Sequence, residues 1–173
     1  LMKEHASIEE NVEKIIPIIS NSTKNFDTRF YKAKDFVNML QESTESKVID
    51  TIVKAEPVGP KNLVDVILIC PCTGNTLAKL AHGITDTPVL MAVKSHIRNN
   101  KPVVIGVSSN DGLGKSLQNI AILMETKNIF FVPFRQDDFI SKPKSLVLDY
   151  SYIIDTLKDA MEFKQIQPVL SRV

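Results

Sequence analysis

Two short runs of the chain are apolar at almost every position. Val64-Asp65-Val66-Ile67-Leu68-Ile69-Cys70 and Pro102-Val103-Val104-Ile105-Gly106-Val107 are rich in β-branched residues. Such runs mark parallel strands covered by helices on both faces, and Pro71 is expected to end the first. Ile129-Phe130-Phe131-Val132 reads as a further strand, and Lys14 to Ser20, with its Ile-Ile-Pro-Ile-Ile centre, as an earlier one. Elsewhere apolar residues recur every three or four positions, which predicts helices. These cover Ile8 to Glu13, Tyr31 to Gln41 (Phe36, Val37 and Leu40 on one face), Thr76 to His82 closed by Gly83, Val89 to Asn99, and Leu117 to Glu125. A closing helix, Tyr152 to Phe163, places Ile153, Ile154, Leu157 and Met161 together. Asn21 to Asp27 is polar and turn-rich, Val48 to Val53 fits either element, and Pro57-Val58-Gly59-Pro60 interrupts the pattern.

Alternating strands and helices without a repeat or a long polar linker predict a single α/β domain spanning residues 1–173, built on a parallel sheet. Parallel sheets grow by strand-helix-strand units, yet a helix opens this chain. The sequence is therefore expected to begin after a first strand and its loop.

The 173 residues are 43% hydrophobic and 24% charged, enough for one real core. With 21 basic and 20 acidic residues the net charge is +1, so no global field draws nucleic acid or an anionic membrane. No apolar run approaches the roughly 20 residues of a membrane span, and the cytoplasm is the expected compartment. Cys70 and Cys72, one residue apart, provide neither a disulfide framework nor a four-ligand zinc set, and no metal is expected; packing near a strand end is their expected role.

Ligands in open parallel sheets collect beyond the carboxyl ends of strands, where helices present unpaired N–H groups. Pro71-Cys72-Thr73-Gly74-Asn75-Thr76 and Ser108-Ser109-Asn110-Asp111-Gly112 both occupy such positions. Their small polar residues suit close approach of an anion, although helix caps and turns use the same types. Neither a G-x-G-x-x-G nor a complete phosphate loop occurs; Gly112-Leu113-Gly114-Lys115-Ser116 resembles only the end of one. His5, His82 and His96 lack an evident acidic partner and read as solvated or capping residues. Arg29, and Lys94 with Arg98 one turn later, are candidates for pairing with carboxylates, Lys94 more simply by solvation.

Pro71 to Asp86 resembles the P-x-[ST]-x-N-T-x-A-K-x-x-x-G-x-x-D stretch of the flavoprotein superfamily of homo-oligomeric flavin-containing cysteine decarboxylases. The likeness extends through Asp27-Thr28-Arg29-Phe30, Ala55 to Lys61, Thr85 to Ala92, Ile97 to Val104, Ser109 to Gly114, Thr126 to Phe134 and Gln165 to Val169, in order. Over these segments it is closest to a branch of B subunits that take part in making dipicolinate, pyridine-2,6-dicarboxylate, in spore-forming bacteria. The resemblance implies a three-layer Rossmann-like or flavodoxin-like fold, a homo-oligomer, FMN as a cofactor, and an A-subunit partner that carries NAD or NADP. It implies that Thr73, Gly74, Asn75 and Thr76 contact the flavin, with Asn75 at its reactive ring, and that Ser108, Ser109 and Asn110 lie on the same side of the sheet. Arg29 and Arg98 are then the expected anchors for the carboxylates of a small dicarboxylate. The superfamily's first strand, whose loop holds the flavin phosphate, has no counterpart here. The decarboxylases' catalytic His is replaced by the stretch Ala55-Glu56-Pro57-Val58, which disfavours cysteine decarboxylation. An oxidoreductase subunit and a non-catalytic scaffold that has kept the flavoprotein shell are the two readings carried forward.

Overall fold

The structure, a computed structural model, describes residues 8–28 and 31–171. Early in the chain, after a helical start at residues 8–9 that does not extend to Glu13 as expected, lie α1 (Asn21–Asn25), α2 (Ala33–Thr44) and α3 (Ile52–Ala55). Then come β1 (Ile67–Cys72), α4 (Gly74–Ala81), α5 (Pro88–Ile97), β2 (Val103–Ser109) and α6 (Lys115–Met124). The last part holds β3 (Ile129–Phe131), β4 (Phe134–Arg135), β5 (Leu146–Leu148) and α7 (Ile153–Met161).

β2 is the centre of the sheet. Val103, Val104, Ile105 and Val107 are fully buried, as a strand covered on both faces requires. On one face Val103, Ile105 and Val107 pack with Leu77 of α4, Ala92 and Val93 of α5, and Ile120 and Leu123 of α6. On the other, Val104 meets Ile153, Leu157 and Ala160 of α7. Period-two alternation along one strand thus builds both helical layers of an α/β sandwich.

β1 runs parallel to β2, with Ile67 opposite Val103 and Cys72 opposite Val107. β3 is parallel to the other edge of β2, but only along Val103–Ile105. Past Val132 and Pro133 the chain enters β4, and β5 returns antiparallel to take the carboxyl half of that same edge, Ser108 opposite Val147 and Ser109 opposite Leu146. β4 in turn pairs with β5.

Several expectations need correction. Pro71 does not end β1: the strand continues across a cis Cys70–Pro71 bond, and the register shifts between Ile69 and Cys72 where Pro71 has no N–H to give. Among the described residues β1 pairs with β2 alone, although so apolar a run is what a central strand carries. Lys14 to Ser20 is not a full strand; only Ile18 pairs, parallel to Ile49. The polar stretch after it holds α1, whose first turn is capped by the Ser20 hydroxyl on the Thr23 N–H. Val48 to Val53 is split between the Ile49 bridge and the start of α3. On α7, Thr156 and Ala160 complete the buried face while Met161 is exposed. The antiparallel β4–β5 pair was not expected at all.

Candidate functional site at the strand tips

β1 and β2 are parallel neighbours, so the segments that follow them leave the sheet at the same end. Thr73 is the N-cap of α4, with its backbone extended, but its hydroxyl caps no N–H; it faces the Thr76 hydroxyl at 3.5 Å. The first-turn N–H groups of α4 therefore have no side-chain cap, and the positive end of the helix is presented outward. Asn75 is exposed on that turn, and Gly74 and Thr76 are half-buried.

The second lip comes from β2. Ser108 and Ser109 are its last residues rather than loop residues, and Asn110 follows, exposed. The Ser109 hydroxyl lies 3.4 Å from that of Ser116 on α6 and accepts the Asp111 N–H at 3.3 Å. Asp111 in turn accepts the Lys115 N–H at 3.0 Å, capping α6.

The two lips meet. A Cβ placed on Gly74 would stand 3.0 Å from the Ser109 hydroxyl oxygen and 3.1 Å from that of Ser116. The structure thus brings Thr73, Gly74, Asn75 and Thr76 together with Ser109 and Asn110. Ser108, one residue earlier on β2, faces the opposite layer from Ser109. Ser116 was missed by the sequence reading, although the Gly-Leu-Gly-Lys-Ser run was its signal.

Other expected residues lie elsewhere. Arg98 caps the carboxyl end of α5 and is exposed, five residues before β2 begins. That puts it at the amino-terminal end of the sheet, about 20 Å of strand away from Ser109, so one chain does not bring it to these lips. Arg29 lies outside the described residues, as does His5. His82 is exposed at the carboxyl cap of α4, and Lys94 is exposed on α5. His96, expected to be solvated, is instead fully buried. Its Nε2 lies 3.2 Å from the Pro102 carbonyl, its Nδ1 has no partner, and burial pulls its pKa below the usual histidine value.

Cys72 is fully buried in the core, and that burial, with the neighbouring Cys70 adding to it, pushes its thiol up to about 12. It is a packing residue, inert as a nucleophile. Lys79 and Asp86, both in the signature stretch, pair at 2.7 Å and fasten the end of α4 to the turn before α5. An open cleft of about 610 Å³ exists at the other end of the sheet, lined by Asn100, Lys127, Asn128 and Phe163 among others. It lacks the convergent hydroxyls and uncapped helix end found at the strand tips.

Among the described residues no group of three His, Cys, Asp or Glu could hold a metal ion, and no helix is long and apolar enough to cross a membrane. The chain belongs to the flavoprotein family, which matches residues 9–162. It is similar to the dipicolinate synthase B subunit of Bacillus subtilis, 47% identical over 89% of this chain and 77% of that protein. The crystal structure of the dipicolinate synthase B subunit from Bacillus halodurans superposes with a TM-score of 0.90 at 41% identity, covering 99% of this chain and 88% of the other. The FMN-dependent cysteine decarboxylase SpaF shares the fold, with a TM-score of 0.54 at 24% identity over 74% of each chain.

Proposed function

We propose that this chain acts as the B subunit of a dipicolinate synthase. Beside a nicotinamide-dependent A subunit, it takes part in oxidising a cyclic dihydrodipicolinate-type precursor to dipicolinate, in the mother-cell cytoplasm of a spore-forming bacterium. The similarity to two dipicolinate synthase B subunits supports the reaction. The single observation that carries the site is the meeting of Gly74 with Ser109 and Ser116.

The residues present fit the polar edge of a flavin ring. Gly74 lets the first turn of α4 close onto the Ser109 and Ser116 hydroxyls, which brings those hydroxyls beside the uncapped N–H groups of the helix. Thr73, Gly74, Thr76, Ser109 and Asn110 are the residues to hold FMN, and Asn75 the one to orient ring or substrate; Ser108, on the opposite face of β2, drops out of the set. When bound, the flavin supplies a two-electron acceptor. Loss of two electrons and two protons from a dihydropyridine yields the aromatic ring; that single electron pair ends, with one of the protons, as a hydride on the nicotinamide of the A subunit, and the other proton goes to solvent. Aromatisation provides driving force, so the task left to these side chains is orientation. Asn75 does this with one amide that both donates and accepts.

The test is Asn75→Ala in the complete two-subunit enzyme. Dipicolinate formation should fall about tenfold or more, as loss of one positioned hydrogen bond in a site predicts. Undiminished formation would remove Asn75 from the site. Purified B subunit that is yellow with flavin absorbance supports the catalytic reading. Colourless protein that still raises the A subunit's turnover assigns it a scaffold role.

A further inference from the structure

The lips of the site carry no net charge: Thr73, Gly74, Asn75, Thr76, Ser109 and Asn110 are uncharged, and the two ionisable residues beside them, Asp111 and Lys115, are of opposite sign. A dianionic substrate beside a carboxylate needs cations from somewhere. We propose that the connection between β4 and β5 supplies them, with Lys142 and Lys144 receiving a carboxylate of the substrate; this rests on the dicarboxylate reading above.

The topology puts the connection on the correct side. β5 is antiparallel to β2 and β4 is antiparallel to β5, so β4 runs with β2 and leaves the sheet where the site lies. Residues 136–145 therefore rise on the same side as the lips and descend into Leu146, directly opposite Ser109. The contact is intimate. The Leu113 N–H donates to the Lys144 carbonyl at 2.9 Å, and a Cβ on Gly112 would stand 2.5 Å from the Leu146 Cβ.

The connection is stapled from within, so its lysines ride on fixed backbone. Gln136 Nε2 donates to the Pro143 carbonyl at 2.8 Å, the Ser145 N–H to the Lys142 carbonyl at 3.0 Å, and the Lys142 N–H to the Asp138 carbonyl at 2.8 Å. Both side chains are exposed. Lys144 makes no ion pair among the described residues, and Lys142 meets Asp137 at 3.5 Å and feels the Asp138 carboxylate as well, exposed contacts of little worth that a substrate can displace. Of the other cations nearby, Lys115 sits on the segment of the Asp111 carboxylate, and Arg135 is occupied by Asp149 at 3.2 Å, whose carboxylate the Ser151 hydroxyl also holds at 2.7 Å.

The experiment compares wild type with a Lys142→Gln, Lys144→Gln double variant in the two-subunit enzyme, and titrates each version of the B chain with dipicolinate itself. In the double variant, KM for the precursor and Kd for dipicolinate should both rise about tenfold or more, with kcat changed far less. Wild-type binding should weaken as salt is added, and the variant's should not. Lys127→Gln, before β3 at the far end of the sheet, serves as a control with no change, and Lys→Arg at both positions should retain binding. Dipicolinate binding within twofold of wild type in the double variant overturns the assignment while leaving the reaction intact. A wild-type pair that neither binds nor forms dipicolinate overturns the reaction and this assignment together.

Discussion

At position 74 a glycine packs against two hydroxyls. Any larger residue must push against Ser109 and Ser116 at about van der Waals limits, although alanine would suit a first helical turn equally well or better. The steric contact therefore predicts an energetic coupling. Gly74→Ala should destabilise the protein by about 1–2 kcal/mol, and Ser109→Ala, which removes the oxygen in the way, should recover part of that loss. A double-mutant cycle read by chemical denaturation would give a coupling of about 0.5 kcal/mol or more. Additivity of the two changes would mean that the lips stand further apart than described. Single residues also mark where sequence reading stops. That Thr73 to Thr76 and Ser109-Asn110 come together was legible because both follow parallel strands and so leave the sheet at one end. Burial of His96 was not, since its neighbours Lys94 and Arg98 are charged and only packing against the start of β2 encloses it.

Among the elements, long apolar runs announced themselves and short ones did not. β1, β2 and β3 each follow from a run of β-branched or aromatic residues, and α4 to α7 from helical spacing with ends displaced by a few residues. β4 and β5, two and three residues long, exist only because they pair with each other and with β2, a non-local fact that no local pattern encodes. α1 hides in a polar stretch with no buried residue, and its Ser20 cap is its main local support. The exposed edge of β3 is closed in a similarly non-local way. The Gln165 side chain accepts the Phe131 N–H at 2.7 Å and donates to the Phe131 carbonyl at 2.8 Å, standing in for one residue of a neighbouring strand. Replacing Gln165 with Ala strands a buried donor and acceptor, so the loss should be about 2 kcal/mol. Amide exchange at Phe131 should accelerate, and an unchanged exchange rate would show that the strap is dispensable.

The molecule as a whole should feel His96 through pH. Its pKa is depressed in the fold, by burial first and by Lys101 in addition, against the opposing pull of the Pro102 carbonyl and Asp65. The unfolded chain then binds a proton more readily than the folded one. Stability from this group is complete above the ordinary histidine value of about 6.5 and declines as pH falls below it. The thermal midpoint should drop between about pH 7 and pH 5, and His96→Gln should flatten that part of the profile. An identical slope in the variant would assign the acid sensitivity to other groups.

β2 divides its outer edge between two neighbours, β3 below and β5 above. Sequence drift in the β4–β5 arm therefore alters what surrounds a ligand without touching the parallel pairings that hold Val103 to Ile105. On the proposed site, a lineage built on this plan retools its substrate preference by exchanging a ten-residue stretch, 136–145, while inheriting its foundation unchanged.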